Sequence, residues 1–138
     1  MTTRREQIIQ AIVAAIAGGA TPVYRSRVEP LARNETPAIV VEPLSDNATQ
    51  TTLGRLDWSL TLRVMVIVRG DGPDQLADPI IADIHQRIMA DMSIGGLAVD
   101  LQPGSTSYDL TEGDQPVGVI SQEFTVLYKT NLQNLSTV

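Results

Sequence analysis

The chain contains no cysteine. That absence excludes disulfide frameworks, thiolate zinc sites and thiol nucleophiles together, and it suits a reducing cytoplasm. Histidine occurs once, as His85, so histidine-based metal clusters and any two-imidazole mechanism are excluded. Basic residues are few: ten Lys and Arg stand against sixteen Asp and Glu, a net charge of −6, with no basic cluster. Tight sequence-specific binding to a nucleic acid needs a basic footprint on the phosphates, so that class is disfavoured, whereas passing contact with DNA is not. No apolar run is long enough to span a membrane as a helix.

Chemistry is equally thin. Asp78, Asp83 and Asp91 stand seven, two and six residues from His85, whereas a shared helical face needs spacings of three or four. His85 is therefore expected to be partly buried or interfacial. Asp71, Asp74 and Asp78 lack the ligand spacing of a calcium loop, and helix capping is their expected job. The Gly95-Gly96 pair and the Gly70-Asp71-Gly72 turn have neither dinucleotide-loop spacing nor a following Lys-Ser/Thr, so they read as caps and turns. Ser59, Ser105 and Ser107 have no base nearby in sequence. These absences predict a protein that is not an enzyme, with no catalytic residue, cofactor or metal.

What is present is a long strand signal over residues 54–70. Leu56, Trp58, Leu60, Leu62, Val64, Val66 and Val68 recur at every second position, with Asp57, Ser59, Thr61 and Arg63 pointing the other way, the period of a strand with one wet face. Met65 and Ile67 break the polar alternation, so both faces should be covered at that end. About fourteen residues at 3.3 Å each reach roughly 46 Å, against about 21 Å for a helix over 78–92. The half at 56–61 should therefore leave the helix-covered core as one leg of a hairpin arm.

With 138 residues and no internal linker, the chain fits one domain. Arg4 and Arg5 before an apolar, small-residue stretch imitate a secretory signal. A capping box at Thr3 and Glu6, interruptions at Gln7 and Gln10, and a stripe of Ile8, Ile9, Ile12, Val13 and Ile16 favour instead a helix over 3–17 that belongs to the folded protein. Residues 23–28 form a weak edge strand between Pro22 and Pro30, and 38–42 a short strand, the two expected to be antiparallel neighbours. A helix follows over 78–92, with Asp78 as N-cap, Pro79 at its first position and Ile80, Ile81, Ile84, Ile88 and Met92 on its apolar face, and residues 74–77 offer a preceding turn. Strands over 97–102 and 117–130 close the chain, and 131–138 is read as a loose tail. The predicted fold is α+β: a mainly antiparallel sheet of about five strands, two helices on one face and a protruding β-hairpin arm.

The polar stretch 45–54 is expected to be the mobile tip of that arm. Either it is a solvated loop without duty or, beside Trp58, a contact surface; Trp58 itself is either an exposed anchor or a core residue. On the contact reading the candidate interface is Asp46, Asn47, Thr49, Gln50, Thr51, Thr52, Leu53, Arg55 and Trp58, with Asn131, Leu132 and Leu135 as a C-terminal contact.

The order of an amphipathic helix, PAIVVEP, a polar loop, LDWSLTLRVMVIVRG, a helix carrying ADIHQRIMAD, SIGGLAVDLQP and a closing FTVLYKT resembles the tail terminator and tail-completion proteins of long flexible-tailed bacteriophages, the minor tail protein U type. The likeness runs over about 23–135. It implies a virion structural protein, assembled in the host cytoplasm, that closes into a ring, expected to be hexameric, on the head-proximal end of the tail tube. Such a ring stops tube growth and offers the attachment surface for the head. Implied partners are further copies of the chain, the major tail tube protein and a head-tail connector or neck protein, with DNA passing transiently through the lumen and no membrane. In that family the loop between the second and third strands and the ring faces carry the contacts, which maps onto 45–54 and 131–138. A different neck ring protein, such as a head-closure or connector subunit, or a non-enzymatic interaction module of similar fold, is the alternative.

Overall fold

β3 (Arg55–Arg69) is the middle strand of a five-stranded sheet, and its alternation puts it there. Leu60, Leu62, Val64, Val66 and Val68 on one face are at most 3 % exposed. Together with Ile39, Val41, Leu101, Ile120, Phe124 and Val126 from neighbouring strands, they form the floor on which the helices rest. The structure is a computed structural model that describes residues 2–27, 35–113 and 115–137, without the side chains of Thr51 and Thr52. The remaining elements are α1 (Arg4–Ala17), β1 (Val23–Arg25), β2 (Ala38–Thr52), α2 (Pro73–Met89), β4 (Asp100–Thr111) and β5 (Val117–Asn131), and the sheet order is β1-β2-β3-β5-β4. The α+β architecture expected from the sequence is the one observed, with both helices on one face.

α1 is capped as its sequence predicts: the Thr3 hydroxyl accepts from the Glu6 amide at 3.1 Å. The reciprocal half of the box is spent elsewhere, because the Glu6 carboxylate grips the Arg25 guanidinium of β1 through both oxygens. Ile8, Ile9, Ile12 and Ile16 are at most 2 % exposed, so the stripe that resembled a signal is core. α2 starts five residues before the expected Asp78 N-cap. Gly72 takes a left-handed φ of 63° as N-cap and Pro73 opens the helix, while Pro79 lies inside it and Asp78 is exposed. Pro73 satisfies the first-turn preference that the sequence assigned to Pro79. Met92, expected on the apolar face, lies beyond the helix and is 46 % exposed. The chain is turned there by the Asp91 carboxylate, which accepts from the Ser93 amide and hydroxyl and the Gly95 amide.

The strands depart further from expectation. β1 runs parallel to β2, not antiparallel, and pairs only Val23–Arg25 with Ile39–Val41; Val28 and Pro30 lie outside the described residues. β2 does not stop at Glu42. It passes Pro43 at a bulge, where the ladder is interrupted anyway, and continues to Thr52. Residues 45–52 are therefore strand, and the hairpin turn is only Leu53 and Gly54, the latter at φ 79°. β4 likewise passes Pro103 at a bulge and runs to Thr111 instead of ending at 102. Residues 45, 47–50 and 103–111 are exposed and mostly polar, so no buried apolar face announces these extensions; hydrogen bonding to β3 and β5 makes them strands. Met65 and Ile67 are only half-buried, on the face opposite the helices.

The expected arm changes character too. β5 accompanies β3 over its whole length, from Arg69↔Val117 to Arg55↔Asn131. The distal half of β3 is thus held on both sides, and what was read as a two-stranded protruding hairpin is part of a three-stranded sheet. Its tail is not loose either. The Leu132 amide donates to the Gly54 carbonyl at 2.8 Å, the Asn131 amide to the Thr137 carbonyl at 2.7 Å, and the Arg4 amide to the Leu135 carbonyl at 2.7 Å.

Two packing contacts fix how α2 sits. Gly118 on β5 faces the start of the helix so closely that a Cβ there would stand 2.5 Å from the Pro73 Cβ. Gly118→Ala should therefore destabilise the protein by about 1–3 kcal/mol through overpacking, read as a lower urea midpoint; an unchanged midpoint would show that α2 can shift freely. Ile84 is 1 % exposed, so Ile84→Asp should abolish the cooperative melting transition, since an unpaired carboxylate enters the core. A soluble variant with a normal melt would place that helix face wrongly.

Candidate interaction surface at the distal end of the sheet

The candidate residues gather where the hairpin turn, the end of β5, the C-terminal tail and the start of α1 meet. β2, β3 and β5 are in register here, so Ala48, Trp58 and Tyr128 lie side by side on the helix face, and Asp46 faces the same way beside Leu60. Trp58 and Tyr128 stack with ring centroids 6.0 Å apart and planes 9° from parallel. The Arg5 guanidinium sits over the Trp58 ring at 5.9 Å and pairs with Asp46 at 3.2 Å. The indole N–H donates to the Thr130 hydroxyl at 2.9 Å, and the Tyr128 hydroxyl donates to Asp46. Aromatic stacking of this kind adds about 0.5–1.5 kcal/mol beyond area burial. Trp58 is half-buried against the core and is not an exposed anchor.

Asp46 is the electrostatically unusual member. Its side chain is 7 % exposed, one carboxylate oxygen receives Tyr128 and Arg5, and the other is buried without a partner among the described residues. Burial raises its pKa above the ordinary carboxylate value, against the opposing pull of the Tyr128 hydrogen bond and the Arg5 charge. Burial, then the Asp46 bond, pushes the Tyr128 phenol far above its usual range. The cluster turns its donors and acceptors inward, so it serves to hold three strands and α1 together.

The outward surface is made by other candidates. Asn47, Thr49, Gln50 and Arg55 are exposed, and Leu53, at the turn, is 94 % exposed. Thr51 and Thr52 belong to β2, their side chains lying outside the described residues. Asn131 is exposed, Leu132 is 43 % exposed and Leu135 is 37 % exposed, so the tail adds apolar surface beside the turn that it ties down. The structure therefore brings the tip and tail candidates to one end of the molecule and moves Asp46 and Trp58 to its inside. Tyr128, Thr130 and Arg5 were not candidates in the sequence; the alternation that places Tyr128 on the face of Phe124 was the only available signal for one of them.

Compared with known proteins, the chain matches no protein-family model and no curated protein.

Elsewhere, His85 is exposed on α2, neither partly buried nor paired by the aspartates near it in sequence. Ser105 donates to Glu123 at 2.7 Å across the edge of the sheet, and Ser107 is exposed. Among the described residues no three His, Asp or Glu side chains converge on a point that could hold a metal ion, and no helix is long and apolar enough to cross a membrane.

The raised Asp46 pKa has a definite sign in stability. The folded state binds this proton more readily than the unfolded chain, so the ionised carboxylate costs stability at neutral pH and the cost is relieved as pH falls through the folded value. As pH is lowered from 7 toward the ordinary carboxylate value, the wild-type protein should therefore gain stability relative to Asp46→Asn, measured by urea unfolding across that range. A difference that is flat, or that moves the other way, would show that Tyr128 and Arg5 outweigh burial.

Proposed function

We propose that the protein is a ring-forming structural subunit that caps the head-proximal end of a phage tail tube and presents the surface to which the head attaches. The observation that carries this reading is the distal end of the sheet. The start of α1 covers this end as far as Trp58, and beyond it the turn presents an exposed leucine, with exposed Asn47, Thr49, Gln50 and Arg55 beside it on a stiff three-stranded base. A rigid sheet end with a polar rim and an apolar point suits docking to a repeating protein lattice better than it suits catalysis. The resemblance in motif order from the N-terminal helix to the closing strand supports the same assignment. A ring needs two different, complementary patches on each subunit, and closes only when the rotation between them closes. Net negative charge suits a channel through which DNA slides, because carboxylates repel phosphates.

Purified protein imaged by negative-stain electron microscopy should show closed rings, and added to tail tubes it should stop their elongation. Protein that stays monomeric at high concentration and leaves tube growth unchanged would refute the assignment. Within it, Leu53→Lys should leave the unfolding free energy from urea titration unchanged to within about 0.5 kcal/mol, since the side chain buries almost nothing, while weakening tube capping at least tenfold. Equal capping by the variant would remove Leu53 from the contact.

A further inference from the structure

The sheet ends in two edges, and among the described residues each is open over a length that soluble monomers ordinarily blunt. β4 is outermost on one side: it pairs with β5 alone, and residues 102–111 are all exposed. On the other side β1 covers β2 only at Ile39–Val41, so residues 42–52 of β2 pair with β3 alone among the described residues. Pro103 and its bulge interrupt the start of β4, but residues 106–111 are regularly paired and proline-free.

The sequence is more acidic on the β4 side, while Arg5, Arg25, Arg27 and Arg63 on the other side are each paired with a carboxylate of their own segment. Residues 70–116, which hold α2 and β4, carry nine acidic residues and one basic, Arg87. Residues 1–69, which hold α1, β1, β2 and β3, carry eight basic and six acidic residues. Beside β4 a depression is lined by Asp74, Asp78 and Tyr108, and Asp109 is exposed along the edge. Where β1 gives out, a groove of about 390 Å³ beside β2 is lined by the Arg5–Asp46 and Arg25–Glu6 ion pairs, which balance one another, and by Pro43 and the 43 % exposed Leu44. Tyr108 and Leu110 supply apolar surface on the acidic edge, at 60 % and 51 % exposure.

We infer that the β4 edge of one copy adds to the free β2 edge of the next, residues 102–111 against 42–52, joining subunits head to tail through a shared sheet. This specifies the subunit contact of the ring proposed above and rests on that reading. Strand direction agrees. β3 opposes β2, β5 opposes β3 and β4 opposes β5, so β4 runs opposite to β2. A rotation about an axis to which the strands are tilted by less than a right angle keeps their sense along that axis, and the new pair is therefore antiparallel, the better-bonded arrangement. Position agrees as well. Thr106, near the middle of the β4 edge, is level with Gln122, Val64 and Val41, whereas the middle of the free β2 length is Asn47, six residues further on. A closed sheet of tilted strands requires a stagger from one side to the other, and this offset supplies one per subunit.

The absence of cysteine makes the test direct. Asn47 and Ser107 are exposed, and the registers place both on the sheet face away from the helices. The double variant Asn47→Cys, Ser107→Cys, treated with a short bis-maleimide, should give a covalent ladder of dimers and higher species on a denaturing gel. A mixture of the two single variants should give dimers only, and each single variant alone should stay monomeric. Rings seen by microscopy without any ladder would overturn the edge contact and leave the ring reading standing. A Ser107→Cys variant that cross-links to itself would show a two-fold β4–β4 contact and overturn the head-to-tail arrangement. Monomer in microscopy and on the gel would remove both proposals.

Discussion

The unbroken ladder between β3 and β5 is the constraint on which the rest of the structure depends. It pairs every residue of β3 from Arg55 to Arg69 with one of β5 from Asn131 to Val117, without a bulge. Because register is continuous, the helix-side faces of both strands stay in phase along their full length, from Val68 beside Gly118 at one end to Trp58 beside Tyr128 at the other. A slip of one residue would turn Leu60, Leu62, Val64 and Val66 out of the core all at once. The helices add cover to this pair, while the bulges are confined to β2 and β4, where outer edges absorb irregularity.

The same ladder explains why a polar end of the molecule is rigid. Residues that bury little would not order themselves, but β2 and β5 flank β3 to the last turn, and the tail bonds to Gly54 and Arg4. Trp58, Tyr128, Thr130, Asp46 and Arg5 then form a polar-aromatic knot in place of an aliphatic core. A knot of this kind is specific in geometry yet costly in its charged member, since the Asp46 carboxylate is desolvated faster than its partners compensate.

Much of the fold was legible because burial writes itself into alternation. β3, β5 and α1 carry clean periods, and their observed bounds differ from the expected ones by a residue or so. The distal half of β2 and most of β4 were not legible, since a strand wet on both faces leaves no apolar period and Pro43 and Pro103 read as stops. The start of α2 was misplaced because two prolines, Pro73 and Pro79, compete for the same first-turn signal, and only packing against Gly118 decides between them. At the candidate surface, exposure of 47, 49, 50 and 53 could be foreseen from polarity and turn chemistry. The alternation left Trp58 open between anchor and core, and the burial of Asp46 could not be foreseen, because it depends on Tyr128, 82 positions away in the chain.

That β5 is the last strand has a consequence for how the molecule is made. During synthesis the β2–β3 hairpin is complete long before β5 emerges, and one whole side of the most hydrophobic strand must wait unpaired. Pairings separated by so much chain close slowly and leave sticky intermediates exposed. The final fifteen-residue strand thus acts as the latch of biogenesis: chains that lose it late in translation present an open β3 to whatever strand they meet first.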